Sequence, residues 1–420
     1  MGGKATDFDG KVRALRRTLF PPPPQADLGD IATARYPAPI ELPHVVTARE
    51  VSKAIWNPAA DKAAGRTGIP NRFLRLLTGE PIMGAIVHLF QACIEVGHHP
   101  TQFKEANTVI LKKPAKKDYS EPKSYRPIAL LDTLGKALET VVSRKLSDLA
   151  EKHHLLPPQQ MGARRKRSVE TALEALTDAV HTVWNHGKSG NKRKVASLLS
   201  LDVAGAFDNV SHERLLHNLR MRRTPAFITK WVASFLSDRK TSITLGGKTS
   251  ELEEVETGIP QGSPISPVLF LFFNAPLLEE CAKTRLPIQV GGFVDDVHLL
   301  AYSESTEANC KYLEKAHEIC LHWARTHGAA FAPQKYELIH LSRTPKKFNM
   351  KMAINFDNVV IEPGSSLRVL GLYIDSKLRW GPHIAQLKAR AATQTRAISC
   401  IAGSTWGVTW RSVDWYIAWW

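Results

Sequence analysis

Apolar positions recur at helical spacing in some stretches of the chain and run short and continuous in others. Leu134, Leu138, Val141, Val142, Leu146 and Leu149 fall on one helical face, and residues 168–184 repeat that pattern. Thr47-Ala48-Arg49-Glu50 forms a capping box ahead of Val51, Ile55 and Trp56, so a helix starts there, and another is predicted over 81–96. Short apolar runs predict strands at 108–111, closed by Lys112-Lys113-Pro114, and at 195–201, which ends at Asp202. Residues 241–245 and 252–257 flank Gly246-Gly247, a hairpin signal. Apolar segments at 288–290 and 297–301 flank a second turn region, Gly291-Gly292-Phe293-Val294-Asp295-Asp296. Helices mixed with hairpins predict an α+β architecture.

The first forty residues read differently. Pro21 to Pro24, Pro37 and Pro39 favour extended backbone, which predicts a linker or severed domain edge without a packed core. The remaining composition is globular: 43% apolar and 23% charged over 420 residues, room for two or three subdomains. Wholesale disorder and collagen-like repetition are excluded. The five cysteines show no C-x-x-C spacing, so neither a zinc module nor a disulfide framework is predicted. The stretches 82–96 and 268–278 are interrupted or too short for a membrane span, and no secretory signal is recognisable. A net charge of +16 favours a polyanionic partner, because Lys and Arg gain affinity by displacing counterions from phosphates.

Gly247-Lys248-Thr249 looks like the end of a phosphate-binding loop, but Ser242 stands where that loop needs its first glycine, so it reads as a turn. The acidic residues say more. Asp202 closes a buried strand, and Asp295 and Asp296 crowd a turn between two strands. Their repulsion costs free energy unless a cation sits among them, and Mg²⁺ is held by one or two carboxylates together with substrate phosphates.

The order of segments over residues 65–405 resembles the polymerase core of reverse transcriptases, particularly those of non-LTR, LINE-like retrotransposons. The matching segments are Ser124-Tyr125-Arg126-Pro127-Ile128-Ala129-Leu130-Leu131, Leu201-Asp202-Val203-Ala204-Gly205-Ala206-Phe207-Asp208 and Gly258-Ile259-Pro260-Gln261-Gly262-Ser263-Pro264-Ile265-Ser266-Pro267. Phe293-Val294-Asp295-Asp296, Lys335 and Leu370-Gly371-Leu372-Tyr373-Ile374 follow, with 59 residues from Asp202 to Gln261 and 34 from there to Asp295. Many relatives have Ala in place of Val294. Thr67-Gly68-Ile69-Pro70 resembles the upstream template-contacting segment, where Asp commonly replaces Thr67.

The resemblance implies a right-hand polymerase with an antiparallel palm sheet. Its regions would be the proline-rich segment 1–40, fingers and template-contacting helices at 41–194, the palm at 195–345 with a finger-like hairpin near 238–257, and primer grip and incomplete thumb at 346–420. Asp202, Asp295 and Asp296 would hold two Mg²⁺ ions, with Mn²⁺ as a substitute. Arg126, Lys112, Lys113 and Lys335 would meet the triphosphate. Phe207 would lie under the sugar and exclude a 2′-hydroxyl, Gln261 and Gly262 would approach nucleotide and template, and Asp208 would orient that loop. Leu370 and Gly371 would form the primer grip. The expected partners are an RNA template, a DNA primer and deoxynucleoside triphosphates, with no membrane. Relatives usually carry an endonuclease before the polymerase, whereas only about 40 residues precede the first recognisable segment here. The apolar ending Trp415-Tyr416-Ile417-Ala418-Trp419-Trp420 reads as an interrupted thumb helix. Two alternatives stay open: an intron-encoded organellar reverse transcriptase and maturase, and an inactive remnant that only binds nucleic acid. The nucleus is the expected compartment for the first reading, and the mitochondrion for the intron-encoded one.

Overall fold

The computed structural model describes residues 7–22, 25–114, 116, 118–186, 193–356 and 359–400. Thr47 caps the helix Ala48–Trp56 as predicted: its hydroxyl accepts from the Glu50 N–H while the Glu50 carboxylate accepts from the Thr47 N–H. Asp132 caps Thr133–Lys152 by accepting from Leu134 and Gly135, and that helix buries Leu138, Val141, Val142, Leu146 and Leu149. Ile82–Val96 ends at Gly97, whose φ of 73° closes the helix in the left-handed region that favours glycine. Among the described residues no helix is long and apolar enough to cross a membrane. The architecture is α+β.

The described residues fall into two compact units. The first comprises residues 1–172, 201–299 and 314–335. Its sheet pairs Glu105–Lys112 antiparallel with Tyr125–Leu130 and parallel with Lys240–Leu245. Its centre is the helix Ser266–Lys283, in which Val268, Leu269, Phe270, Leu271, Phe272 and Phe273 are all buried, so the helix is apolar on every side. The second unit takes residues 173–200, 300–313 and those from 336 onward. There Val195–Leu201 lies between the second half of Asp296–Ser303 and Glu337–Leu341, running antiparallel to the latter from Ala196↔Leu341 to Ser200↔Glu337. Trp184, Leu198, Ile339, Leu341, Leu367 and Ile374 form its core. The helix Gly381–Ser399 buries none of its residues.

Three local expectations need correction. The proline-rich beginning does pack: Phe8–Leu19 is a helix that buries Val12, Leu15 and Leu19 at helical spacing, and Arg16 donates to the Thr241 carbonyl and pairs with Glu253 at 3.0 Å. Farther along, buried Arg214 pairs with Asp30 and with the Asp27 carbonyl. The prolines therefore follow a packed helix and do not prevent one. Second, the strand returning from Gly246-Gly247 is Lys248–Thr249, and Glu253–Glu254 pairs separately. The Ser250 hydroxyl takes the Ile243 N–H and interrupts the ladder. Third, Gly291 and Gly292 belong to the strand Ile288–Phe293, which narrows the turn to Val294 and Asp295. Gly292 stays extended because it exchanges hydrogen bonds with the 159–161 segment, to Gln159 O at 3.0 Å and from Met161 N at 2.8 Å. The ending from 401 lies outside the described residues.

Candidate active site

Asp202 stands one residue beyond the strand Val195–Leu201. A short antiparallel pairing holds its backbone: Ala332 N donates to Asp202 O at 3.0 Å, and Ala204 N to Ala330 O at 2.8 Å. Asp295 occupies the two-residue turn and Asp296 opens the next strand, Asp296–Ser303. Both keep water-accessible surface, yet the protein around them excludes enough water to disfavour ionisation. Burial pushes Asp296 up to about 6, with the charges of Asp295 and Asp202 adding to it. Asp295 is raised chiefly by burial and further by Asp202. The turn carboxylates therefore feel the negative charge of Asp202, a repulsion that a cation among them would relieve.

Their oxygens are the hard donors that suit Mg²⁺. Among the described residues, however, no three carboxylate, imidazole or thiol groups close into a cage. The set fits a cation that takes its remaining ligands from substrate phosphate and water. The side chain of Asp202 is meanwhile engaged by Lys335 at 2.7 Å.

A cationic wall stands beside the carboxylates. Arg126 is exposed on the strand Tyr125–Leu130 opposite Leu111, and its charge lowers the pKa values of Asp295, Asp208 and Lys113 against the larger effect of burial on the two acids. Burial lowers Lys113, and the charges of Lys335, Lys116 and Arg126 lower it further. Lys112 points elsewhere, over the Tyr119 ring at 5.1 Å. The structure thus separates two neighbours that the sequence left equivalent: Lys113 donates to the Lys123 carbonyl at 3.0 Å within the field of Asp208 and Arg126, and Lys112 lies against an aromatic face.

The loop after Thr257 is stapled to the segment after Asp202. Ile259 N donates to Phe207 O at 2.8 Å, Gly258 N to Val210 O at 3.1 Å, and Gln261 Nε2 to the Asp208 carboxylate at 2.9 Å. A Cβ on Gly258 would lie 2.5 Å from Asp208 O, and one on Gly262 2.5 Å from Ala129 O, so both backbones approach as only glycine allows. Ala129 N donates to Gln261 O at 2.8 Å, which ties the loop to the Arg126 strand. Burial pushes Asp208 up to about 6, opposed by the Gln261 hydrogen bond. The Phe207 ring stacks on Phe270, centroids 5.2 Å apart and 18° from parallel. In the second unit, Leu370 and Gly371, with φ of 48° and 90°, turn the strand Ser366–Val369 into Leu372–Asp375.

Two groups of supporting residues escaped the sequence reading. Gln160 and Asn274, both fully buried, hydrogen-bond the Val294 peptide. Glu139, fully buried on Thr133–Lys152, accepts a hydrogen bond from the Ser263 hydroxyl. No spacing announces either, because an isolated Gln or Glu carries no periodic signal.

The reverse transcriptase (RNA-dependent DNA polymerase) family matches residues 110–374, a span that contains Arg126, the three carboxylates, the Gln261 loop, Lys335 and the Leu370 turn. The chain belongs to the reverse transcriptase family. The right-hand polymerase fold expected from the sequence goes with that membership. This reverse transcriptase is 27% identical over 358 residues to an RNA-directed DNA polymerase from the mobile element jockey of Drosophila funebris, covering 82% of the chain and 36% of the relative. It is 26% identical over 411 residues to a retrovirus-related Pol polyprotein from the type-1 retrotransposable element R1 of Bradysia coprophila, covering 97% of the chain and 39% of the relative. The chain thus spans little more than a third of the length of these curated relatives. A solved structure of apo telomerase from Candida tropicalis, truncated from the C-terminal domain, aligns at 12% identity and a TM-score of 0.44, covering 66% of this chain and 54% of that one.

Proposed function

We propose that this reverse transcriptase extends a DNA primer on an RNA template from deoxynucleoside triphosphates, as the polymerase portion of a non-LTR mobile element. The observation that carries this reading is the convergence of three carboxylates from two chain segments, both members of the turn pair being raised in pKa by burial and by the charge of Asp202. Asp202, Asp295 and Asp296 would hold two divalent cations, Mg²⁺ or Mn²⁺ as its substitute. When bound, such a pair supplies charge to both the attacking and the leaving oxygen of an in-line displacement at phosphorus.

The chain's own groups do the rest. Arg126 offers a planar fork to phosphate oxygens, and Lys113 a point charge beside it. Phe207, held against Phe270, presents a flat wall to the sugar. Gln261 stays oriented by Asp208 and approaches the nucleotide along a backbone that glycines leave open. Lys335, once released from Asp202, would serve the triphosphate as a proton donor to the departing pyrophosphate. Leu370 and Gly371 would form the primer grip. The compartment that suits this reading is the nucleus, where chromosomal DNA can serve as primer.

The test is extension of oligo(dT) on poly(rA) by residues 1–420 with Mg²⁺. Products that vanish on chelation support the reading. Duplex binding without any extension would instead leave a nucleic-acid-binding remnant.

A further inference from the structure

Val294 has a φ of 58°. A β-branched residue rarely adopts that left-handed conformation, so something must hold it there. Both backbone polar groups of Val294, one from each of the peptide units that flank its Cα, are taken by one side chain: Gln160 Oε1 accepts from Val294 N at 3.2 Å, and Gln160 Nε2 donates to Val294 O at 3.4 Å. Asn274 Nδ2 donates to the same carbonyl at 3.3 Å. Gly162 lies against the turn so closely that a Cβ there would sit 2.6 Å from Val294 N.

Gln160 is itself anchored. The Arg164 guanidinium donates to the carbonyls of Pro157 at 2.8 Å and Gln160 at 3.2 Å, while gripping Glu151 at 2.7 and 2.8 Å. Met161 N and Gln159 O pair with Gly292 on the strand leading into the turn. The residue after Val294 is Asp295, so any relaxation of this peptide re-aims both turn carboxylates.

We propose that Gln160, assisted by Asn274, is a positioning residue that holds the Val294–Asp295 turn in its left-handed conformation and thereby aims Asp295 and Asp296 at the cations. The proposal rests on the reading of those carboxylates as cation ligands, and its test keeps the two apart.

In residues 1–420, Gln160→Met removes both hydrogen bonds at nearly constant volume. Mn²⁺ affinity, read by electron paramagnetic resonance, should weaken about tenfold, as happens when the partners of metal ligands are removed. Single-turnover extension of oligo(dT) on poly(rA) should slow by about 10- to 100-fold at saturating dTTP, because small misplacements at the reacting centre are expensive. Its KM should change less than about threefold. In a Val294→Gly background, where left-handed φ needs no enforcement, the same substitution should cost less than about fivefold. A folded Gln160→Met variant with parental Mn²⁺ affinity and extension overturns the proposal. Should that variant fail to fold, Asn274→Ser, which withdraws only the second donor, decides it, with unchanged Mn²⁺ affinity overturning the proposal. Failure of the parental chain to extend any primer would sink the polymerase reading, while the Mn²⁺ measurement would still judge the role of Gln160.

Discussion

Lys335 Nζ donates to Asp202 Oδ2 at 2.7 Å, so a lysine neutralises the carboxylate at the strand end. The contact has a backbone counterpart, because Lys335 N donates to Ala332 O and Ala332 N donates to Asp202 O. Both side chains remain roughly half exposed. Ion pairs of that kind contribute about 0–1 kcal/mol, so a divalent cation that gains several oxygen ligands can displace the ammonium. Lys335→Ala should therefore leave Mn²⁺ affinity without nucleotide unchanged or a few-fold tighter, while raising the KM for dTTP about tenfold. Manganese titration and steady-state extension measure the two effects. Weaker Mn²⁺ binding by the variant would show that Lys335 organises Asp202 and does not compete for it.

Asp295 lies in the turn beside Asp296 and within the field of Asp202. Asp295→Asn removes a hard anionic donor with almost no change in shape. Single-turnover extension should slow by about 10³-fold, roughly 4 kcal/mol of barrier. Fluorescence anisotropy with a labelled duplex should show binding preserved. Near-parental extension would remove Asp295 from the cation site.

The Phe207 ring is held parallel to Phe270. Phe207→Ala keeps the staple between Phe207 O and Ile259 N, because that bond uses backbone. The variant should still incorporate deoxynucleotides and should admit ribonucleotides at least about tenfold more readily. Competing the two in one primer-extension assay measures this ratio, and an unchanged ratio would make Phe207 a packing residue.

Glu139 gives a pH dependence with a defined sign. Burial pushes it up to about 7 from 4.5, opposed by the Ser263 hydrogen bond and by the charges of Arg239 and Lys136, while Asp132 adds to the rise. Its folded pKa is above its unfolded one, so its contribution to stability is fully present below about pH 4.5 and is lost as pH rises to about 7. Glu139→Gln still offers Ser263 an acceptor and cannot titrate. Urea unfolding from pH 4.5 to 7.5 should therefore show the parental chain losing stability relative to the variant as pH rises. Parallel curves would mean that Glu139 titrates alike in the folded and the unfolded chain.

The carboxylates, Arg126 and the Gln261 loop could be read as candidates because their chemistry sits in contiguous segments whose order along the chain is itself informative. Helix positions were equally readable where caps and apolar spacing are local, as at Thr47-Ala48-Arg49-Glu50 and along Thr133–Lys152. The same locality misled at the beginning of the chain, where the prolines hid the three spaced apolar residues of Phe8–Leu19. It also failed at Gly291 and Gly292, which look like turn residues until Gly292 pairs with the 159–161 segment.

The sequence by itself determined the capped and periodic helices, the family resemblance and which acidic residues are candidates, since each depends on residues near one another in the chain. Only the tertiary structure decided that Lys113 and not Lys112 lies in the field of Asp208 and Arg126, that Lys335 occupies Asp202, and that Gln160 hydrogen-bonds a turn 134 residues away. Those relationships depend on which strands become neighbours and which side of each strand faces inward. Hydrogen bonds and charges act over a few ångströms, and only folding brings such distant residues within that range.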